Sequence, residues 1–128
     1  MSEIKVRRGS GKVSQIIDVG SHHLIADEPV SSGGEDTGPA PYDYLAIALG
    51  ACTAITLRMY SQHKQWPLDD AEVTVTLNKD ADSTKLNRSI LLKGALDDTQ
   101  KTRLLAVANQ CPVHKTLSGK IEIVTNLL

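Results

Sequence analysis

Two cysteines, Cys52 and Cys111, are the residues whose chemistry depends most on their surroundings. A thiolate is a nucleophile and a metal ligand, whereas a protonated thiol in an apolar core is inert. Free cysteine is among the most buried residue types, so composition alone favours two plain core residues. The redox alternative needs a first thiolate that attacks an oxidant and a second thiol that reaches the resulting sulfenic acid. The two cysteines could supply such a pair, although their spacing does not show that they meet.

Metal binding is a further alternative for the same residues. Cys111 and His114 have a Cys-x-x-His spacing, and Cys52 with His63 could complete a tetrahedral zinc site. Structural zinc normally uses two closely spaced pairs of ligands, and only one such pair is present. We therefore expect no metal site.

The first cysteine lies in a segment with the pattern of a buried helix that begins near Pro41. Apolar or small residues recur at three and four residue steps, at Leu45, Leu49, Cys52, Thr56 and Met59. Almost no polar face remains before Arg58, and a helix that is apolar all round must be buried all round. A single sheet covers only one side, so we infer that a second subunit covers the other. Gly50 costs about 1 kcal/mol against alanine inside a helix, which predicts a close backbone approach.

The other elements predict an α+β fold with antiparallel sheet and two principal helices. A hairpin around Arg8-Gly9-Ser10-Gly11-Lys12 and a short third strand come first, followed by a long loop of the mobile or functional kind. After Trp66-Pro67 we expect two antiparallel strands, then a helix capped by Asp97 and Gln100 that ends at Pro112. The predicted ranges are strands at 4–6, 13–19 and 22–26, the loop at 29–41, strands at 71–77 and near 90–92, a turn at 113–117 and a last strand at 121–125.

The composition excludes several classes of protein. At 128 residues the chain fits one domain, 1–128. The net charge is −1 and the basic residues are scattered, so nucleic acid and anionic membrane are poor candidate partners. The N-terminal residues lack an apolar run of signal-peptide type, and the uncharged stretch 44–57 is about two-thirds of a membrane-spanning length. We therefore expect a cytoplasmic protein.

Three strings carry a resemblance to a known family. They are Gly-Pro-Ala-Pro-Tyr-Asp-Tyr-Leu at 38–45, Leu-Gly-Ala-Cys-Thr-Ala at 49–54 and Cys-Pro-Val-His-Lys-Thr-Leu at 111–117. In this order, and with the elements predicted between them, they resemble the OsmC/Ohr family of organic hydroperoxide reductases. The resemblance covers most of the chain.

The resemblance implies an OsmC-like fold in an intertwined homodimer with active sites at the subunit interface. It implies a thiol-dependent peroxidase of oxidative stress defence, in which Cys52 is the peroxidatic thiol and Cys111 the resolving one. The implied substrates are organic hydroperoxides, and the implied reductant is a dithiol of lipoyl or thioredoxin type. No metal or organic cofactor is implied.

The sequence departs from the family pattern around the expected activating groups. The resemblance implies an arginine from the N-terminal part of the chain, and Arg7 and Arg8 are the only candidates before the first helix. It also implies a glutamate after Pro41, where this chain has Tyr42 and then Asp43, which could substitute. These departures leave an alternative open: a protein of the same fold that binds a hydrophobic ligand or senses redox state without efficient turnover.

Overall fold

The computed structural model describes residues 2–128 as two compact units that divide after Leu45. The long helix that begins at Pro41 continues from the first unit into the second. That the whole chain forms one domain, as its length suggests, stays a prediction.

The first unit contains an antiparallel sheet of three strands. They are β1 at Ile4–Arg8, β2 at Gln15–Val19 and β3 at His22–Ala26, in the order β1-β2-β3. Val6 lies opposite Ile17 in the register of the first pair. Gly20, with a φ of 58°, makes the left-handed residue of the two-residue turn between β2 and β3. The hairpin and third strand predicted from the sequence are confirmed.

The loop after β3 is ordered around the carboxylate of Asp27, which is only 4% exposed. Its Oδ1 accepts the Glu28 N–H at 2.8 Å, and its Oδ2 accepts the Thr37 hydroxyl at 2.6 Å and the Thr37 N–H at 3.1 Å. The Glu35 N–H adds a longer contact of 3.3 Å. The Thr37 hydroxyl and these N–H donors lower the pKa of Asp27 to about 2. A short 3-10 helix at Val30–Ser32 lies within the loop.

Helix α1, at Pro41–Lys64, is the longest element. Every fourth residue of its second-unit part is buried, at Leu49, Thr53, Leu57 and Ser61. Ile55 and Met59 on another face are 58% and 64% exposed, so the chain itself covers only part of this apolar helix. By length and composition alone α1 is long and apolar enough to cross a membrane, a criterion that core helices of globular proteins also meet. A β-carbon on Gly50 would meet only Val75 Cγ2 at 3.5 Å, so within the described chain the close approach predicted there is wrong.

The second unit continues with a long hairpin and two further helices. The antiparallel strands β4 and β5 lie at Asp70–Lys79 and Thr84–Lys93, and α2 follows at Asp98–Ala108. Asp97 and Gln100 form the predicted capping box. Buried residues of α1 and α2 make the core, with half-buried apolar residues of both strands against it. The core cluster is Leu57, Leu104, Val107 and Ala108.

Two local predictions differ from the structure. Residues 113–117, predicted as a turn, belong to a helix, α3 at Pro112–Ser118. Proline is favoured in the first turn of a helix, so Pro112 starts α3 as well as ending α2. The predicted strand at 121–125 does not form, because this segment makes no ladder with either strand of its unit. The α+β class with antiparallel sheet is confirmed, with α3 as a third, short helix.

Candidate functional site

Cys111 lies at the junction of α2 and α3 and is completely buried. Its backbone is extended, and it occupies the N-cap position of α3, where its Sγ accepts the His114 N–H at 3.4 Å. The first N–H groups of a helix lack partners within the helix, so an acceptor side chain is favoured there. The sulfur takes the place that serine or aspartate commonly holds, which directs an N–H donor at it.

Cys52 lies on α1 and is half-buried, and both cysteines are free thiols. Its Sγ is 4.0 Å from the Thr56 hydroxyl. The Cys52 thiol is one of the groups that lower the pKa of Cys111, so the fold brings near each other two thiols that are 59 positions apart in the sequence.

The pKa of Cys111 is lowered by its surroundings. Burial, the largest single influence, raises it because the anion is desolvated. The His114 N–H, the Cys52 thiol, the Thr53 hydroxyl and the positive charge of Arg88 together outweigh burial. The pocket therefore favours the thiolate of Cys111 relative to a free cysteine.

Arg88, on β5, is the cation of this site, and sequence reasoning missed it. Its Nη1 donates to Thr53 Oγ1 at 3.0 Å and to the Ala108 carbonyl at 3.2 Å. Its Nη2 donates to Asn109 Oδ1 at 2.9 Å and meets His114 Nδ1 at 3.0 Å. Alternation in β5 carries the signal that could have revealed it: Arg88 is half-buried in step with Leu86 and Ile90. A charged residue on the apolar face of a strand needs a partner inside.

The contacts of Arg88 fix the protonation of its neighbours. A guanidinium only donates hydrogen bonds, so His114 must accept at Nδ1 and carry its proton on Nε2. The Thr53 hydroxyl likewise accepts from Arg88 and has one proton to give. That proton goes to the Leu49 carbonyl at 2.7 Å in preference to Cys111 Sγ at 3.9 Å. Thr53 is thus a weak donor to the sulfur, and the His114 N–H is the better one.

The remaining candidate residues lie in the first unit. Arg7 Nε donates to Asp18 Oδ2 at 2.9 Å, and Asp18 Oδ1 also meets His23 Nδ1 at 2.7 Å. Hydrogen bonding to Asp18 and its charge raise the pKa of the exposed Arg7. Arg8 is exposed at the end of β1, and Asp43 Oδ2 accepts the Ala40 N–H at 2.9 Å. The roles expected of these three residues toward Cys52 stay predictions.

Two further observations concern metal binding and the surface beside His114. Within residues 2–128, no group of three or more His, Cys, Asp or Glu side chains is placed to hold a metal ion. A cleft of about 350 Å³ opens beside His114, with three leucines and a polar rim. Its lining is Leu49, Thr84, Lys85, Leu86, His114, Leu117 and Ser118, and includes neither sulfur.

Solved structures share this fold. The chain is similar to an OsmC-like protein from Mycoplasma pneumoniae, at 18% identity and a TM-score of 0.80, covering 93% of this chain and 88% of that one. It is also similar to an organic hydroperoxide resistance protein OsmC from Legionella pneumophila, at 22% identity and a TM-score of 0.68, covering 93% of this chain and 90% of that one. A third similar structure is the organic hydroperoxide resistance protein OhrB of Bacillus subtilis, at 22% identity and a TM-score of 0.64, covering 93% of this chain and 91% of that one. Such low identities establish the fold alone.

Comparison at the level of sequence adds the family. No curated protein matches the chain. The family model described as "OsmC-like protein" matches residues 33–126, a range that contains both cysteines, Arg88 and His114. The chain belongs to the OsmC-like protein family.

Proposed function

We propose that this protein is a thiol-dependent peroxidase that reduces organic hydroperoxides to alcohols in oxidative stress defence. One observation carries the proposal: a half-buried thiol meets a buried thiol whose pKa is lowered by its neighbours. The family, and the hydroperoxide resistance proteins of the same fold, support this class of activity. Cys52 is the peroxidatic thiol because its partial exposure lets a peroxide approach it.

In the first step the Cys52 thiolate attacks the distal oxygen of the hydroperoxide. A sulfur–oxygen bond forms, the oxygen–oxygen bond breaks, and the alkoxide leaves and takes a proton to become the alcohol. Cys52 is then a sulfenic acid, oxidised by two electrons. A cation near Cys52 would stabilise both the thiolate and the leaving alkoxide. Arg7 and Arg8 remain our candidates for that cation, with Asp43 as the residue that orients it.

In the second step the Cys111 thiolate attacks the sulfur of the Cys52 sulfenic acid. The disulfide forms, the sulfur–oxygen bond breaks, and hydroxide leaves and is protonated to water. A lowered pKa of Cys111 serves this step, because the attacking species must be the anion. A dithiol of lipoyl or thioredoxin type then reduces the disulfide and is itself oxidised. No step needs a metal or an organic cofactor.

Turnover tests the proposal. With cumene hydroperoxide and a dithiol, the wild-type protein should consume many equivalents of peroxide. The Cys52→Ser variant should lose this activity, and the Thr102→Ser variant, changed on α2 away from both thiols in sequence, should keep it. Full activity of the Cys52→Ser variant would show that the nucleophile is assigned to the wrong residue.

A second candidate function is supported by the cleft beside His114. Its volume and its three leucines suit a hydrophobic ligand, whose binding could be reported by the thiols without catalytic cycling. The turnover assay separates the two functions. One equivalent of peroxide consumed, followed by no further loss in the presence of dithiol, would favour a binding or redox-sensing protein.

We further propose a cytoplasmic homodimer in which a second copy covers the exposed face of α1. The exposed Ile55 and Met59 support this, since an apolar helix is stable in water only when covered. The Ile55→Glu variant should therefore sediment as a monomer at concentrations where the wild type is dimeric. Val30→Glu, at a more exposed position of the first unit, is the control and should stay dimeric. Equal sedimentation of both variants and wild type would exclude this face.

A further inference from the structure

Arg88 is placed where a strand normally buries an apolar side chain. Its neighbours on the same face of β5, Leu86 and Ile90, are half-buried like it. A charged group in this position is costly unless its donors are satisfied. Both terminal nitrogens of the guanidinium have two partners each, so the cost is offset by hydrogen bonds from a single planar group.

The four partners of Arg88 lie on the segments around Cys111, and two of them, Thr53 and His114, also contact its sulfur. Ala108 and Asn109 form the end of α2 just before Cys111, and His114 gives its backbone N–H to Cys111 Sγ. Thr53, whose hydroxyl is 3.9 Å from that sulfur, adjoins Cys52 in the sequence. One guanidinium therefore joins α1, the end of α2 and the start of α3, the three segments that hold the two thiols.

We propose that Arg88 is a positioning residue for the resolving step: its planar fork holds the α2–α3 junction so that the His114 N–H points at Cys111 Sγ, and its charge favours the anion there. The inference rests on the proposed function, and it assigns to β5 a cation for the second thiol. This cation is separate from the one sought near Cys52 in the N-terminal strands. Arg88 makes no hydrogen bond to Cys111 Sγ, and it acts through His114, Thr53 and its charge.

The test measures the ionisation of Cys111 without any turnover. In a Cys52→Ala background Cys111 is the only thiol, so the ultraviolet absorbance of the thiolate reports its titration directly. Adding Arg88→Gln removes the charge and the fork, and the midpoint should rise by about one pH unit. Such a rise means about ten-fold less thiolate at any pH below both midpoints. Arg88→Lys keeps a charge but not the fork, so it should raise the midpoint by a smaller amount.

Arg103→Gln is the matched control, because Arg103 also donates to a side chain, the Tyr60 hydroxyl at 2.9 Å, from another part of the second unit. Its midpoint should coincide with that of the background. Coincidence of the Arg88→Gln midpoint with the control, in protein shown to be folded by circular dichroism, would overturn the inference. If the glutamine variant does not fold, an unchanged midpoint in folded Arg88→Lys overturns it equally. The titration does not depend on peroxidase activity. The proposed function fails separately if the wild-type protein does not consume peroxide.

Discussion

Two buried acidic groups, Asp27 in the first unit and Cys111 in the second, have similar surroundings that come from different distances along the chain. The carboxylate of Asp27 accepts N–H groups and a threonine hydroxyl that all come from the next ten residues. The sulfur of Cys111 has near it an N–H, a threonine hydroxyl, a second thiol and the charge of a guanidinium, which come from two helices and a strand. Both groups have a lowered pKa.

Asp27 has the surroundings of a structural residue, whereas Cys111 has those of a reactive one. The donors of Asp27 are local, uncharged and unreactive, so the carboxylate holds the loop that supplies them. The surroundings of Cys111 include the charge of Arg88 and a thiol that can be oxidised, which neither a loop nor a helix cap requires. Convergence of distant residues on one atom therefore marks the second group as the site, while local satisfaction marks the first as an anchor.

Loss of the Cys111 thiol should affect turnover most. Cys111→Ser should reduce dithiol-dependent turnover of cumene hydroperoxide by at least on the order of 100-fold, because the Cys52 sulfenic acid has no resolving partner. Asp27→Asn should keep turnover within about two-fold when the protein is folded, since it touches no thiol. Equal losses in both variants would mean that Cys111, like Asp27, has only a structural role.

Loss of the Asp27 carboxylate should lower the thermal stability of the protein. Asp27→Asn places an amide among four donors, so its NH₂ group faces at least one N–H and the charge that strengthens the bonds is lost. Thermal unfolding followed by circular dichroism should show a melting temperature lower by several degrees. Asp36→Asn is the control: its left-handed backbone, with φ of 55°, suits asparagine equally. An unchanged melting temperature in Asp27→Asn would remove the anchoring role.

Acid unfolding should report the low pKa of Asp27. The folded pKa of Asp27 is about 2, below its ordinary value of 3.8, so the folded carboxylate binds protons less readily than the unfolded one. Its contribution to stability is therefore complete above about pH 4 and is lost as the pH falls toward 2. Denaturant titrations at a series of pH values should show a shallower acid loss in Asp27→Asn than in the wild type. Parallel curves would contradict the assignment.

Gly50, in the interior of α1, should have a small effect on stability. Gly50→Ala should raise the free energy of unfolding by about 0.5–1 kcal/mol, because alanine favours a helix interior and only Val75 Cγ2 lies within 4 Å of the new methyl group. Chemical denaturation measures the change. A loss of stability accompanied by dissociation of the dimer would instead indicate that a second copy approaches this glycine closely.

The sequence predicted local structure better than it predicted the site. The capping box at Asp97 depends on residues three apart, so it could be predicted exactly where it forms. Pro112 was interpreted as an end only, since the rule for breaking a helix and the rule for starting one apply to the same residue. The prediction of a strand at 121–125 was wrong, because alternation within one segment does not supply a neighbouring strand for it to pair with.

The site itself depends on long-range contacts that spacing does not encode. The motifs identified Cys52 and Cys111 as a pair, but their meeting depends on how α1 and the α2–α3 junction pack. Arg88 lies in no motif, and the resemblance to the family implies a cation from the N-terminal part of the chain instead. The signal for Arg88 was its position in the alternation of β5, where a buried charge implies a buried partner.

The proposed disulfide between Cys52 and Cys111 can be detected by treating the reduced protein with one equivalent of cumene hydroperoxide and measuring intact mass and proteolytic peptides. A peroxidatic Cys52 resolved by Cys111 predicts a loss of two hydrogens per chain and a peptide in which Cys52 is joined to Cys111 of the same chain. An unchanged mass, or sulfinic acid on Cys52 with Cys111 still free, would contradict it.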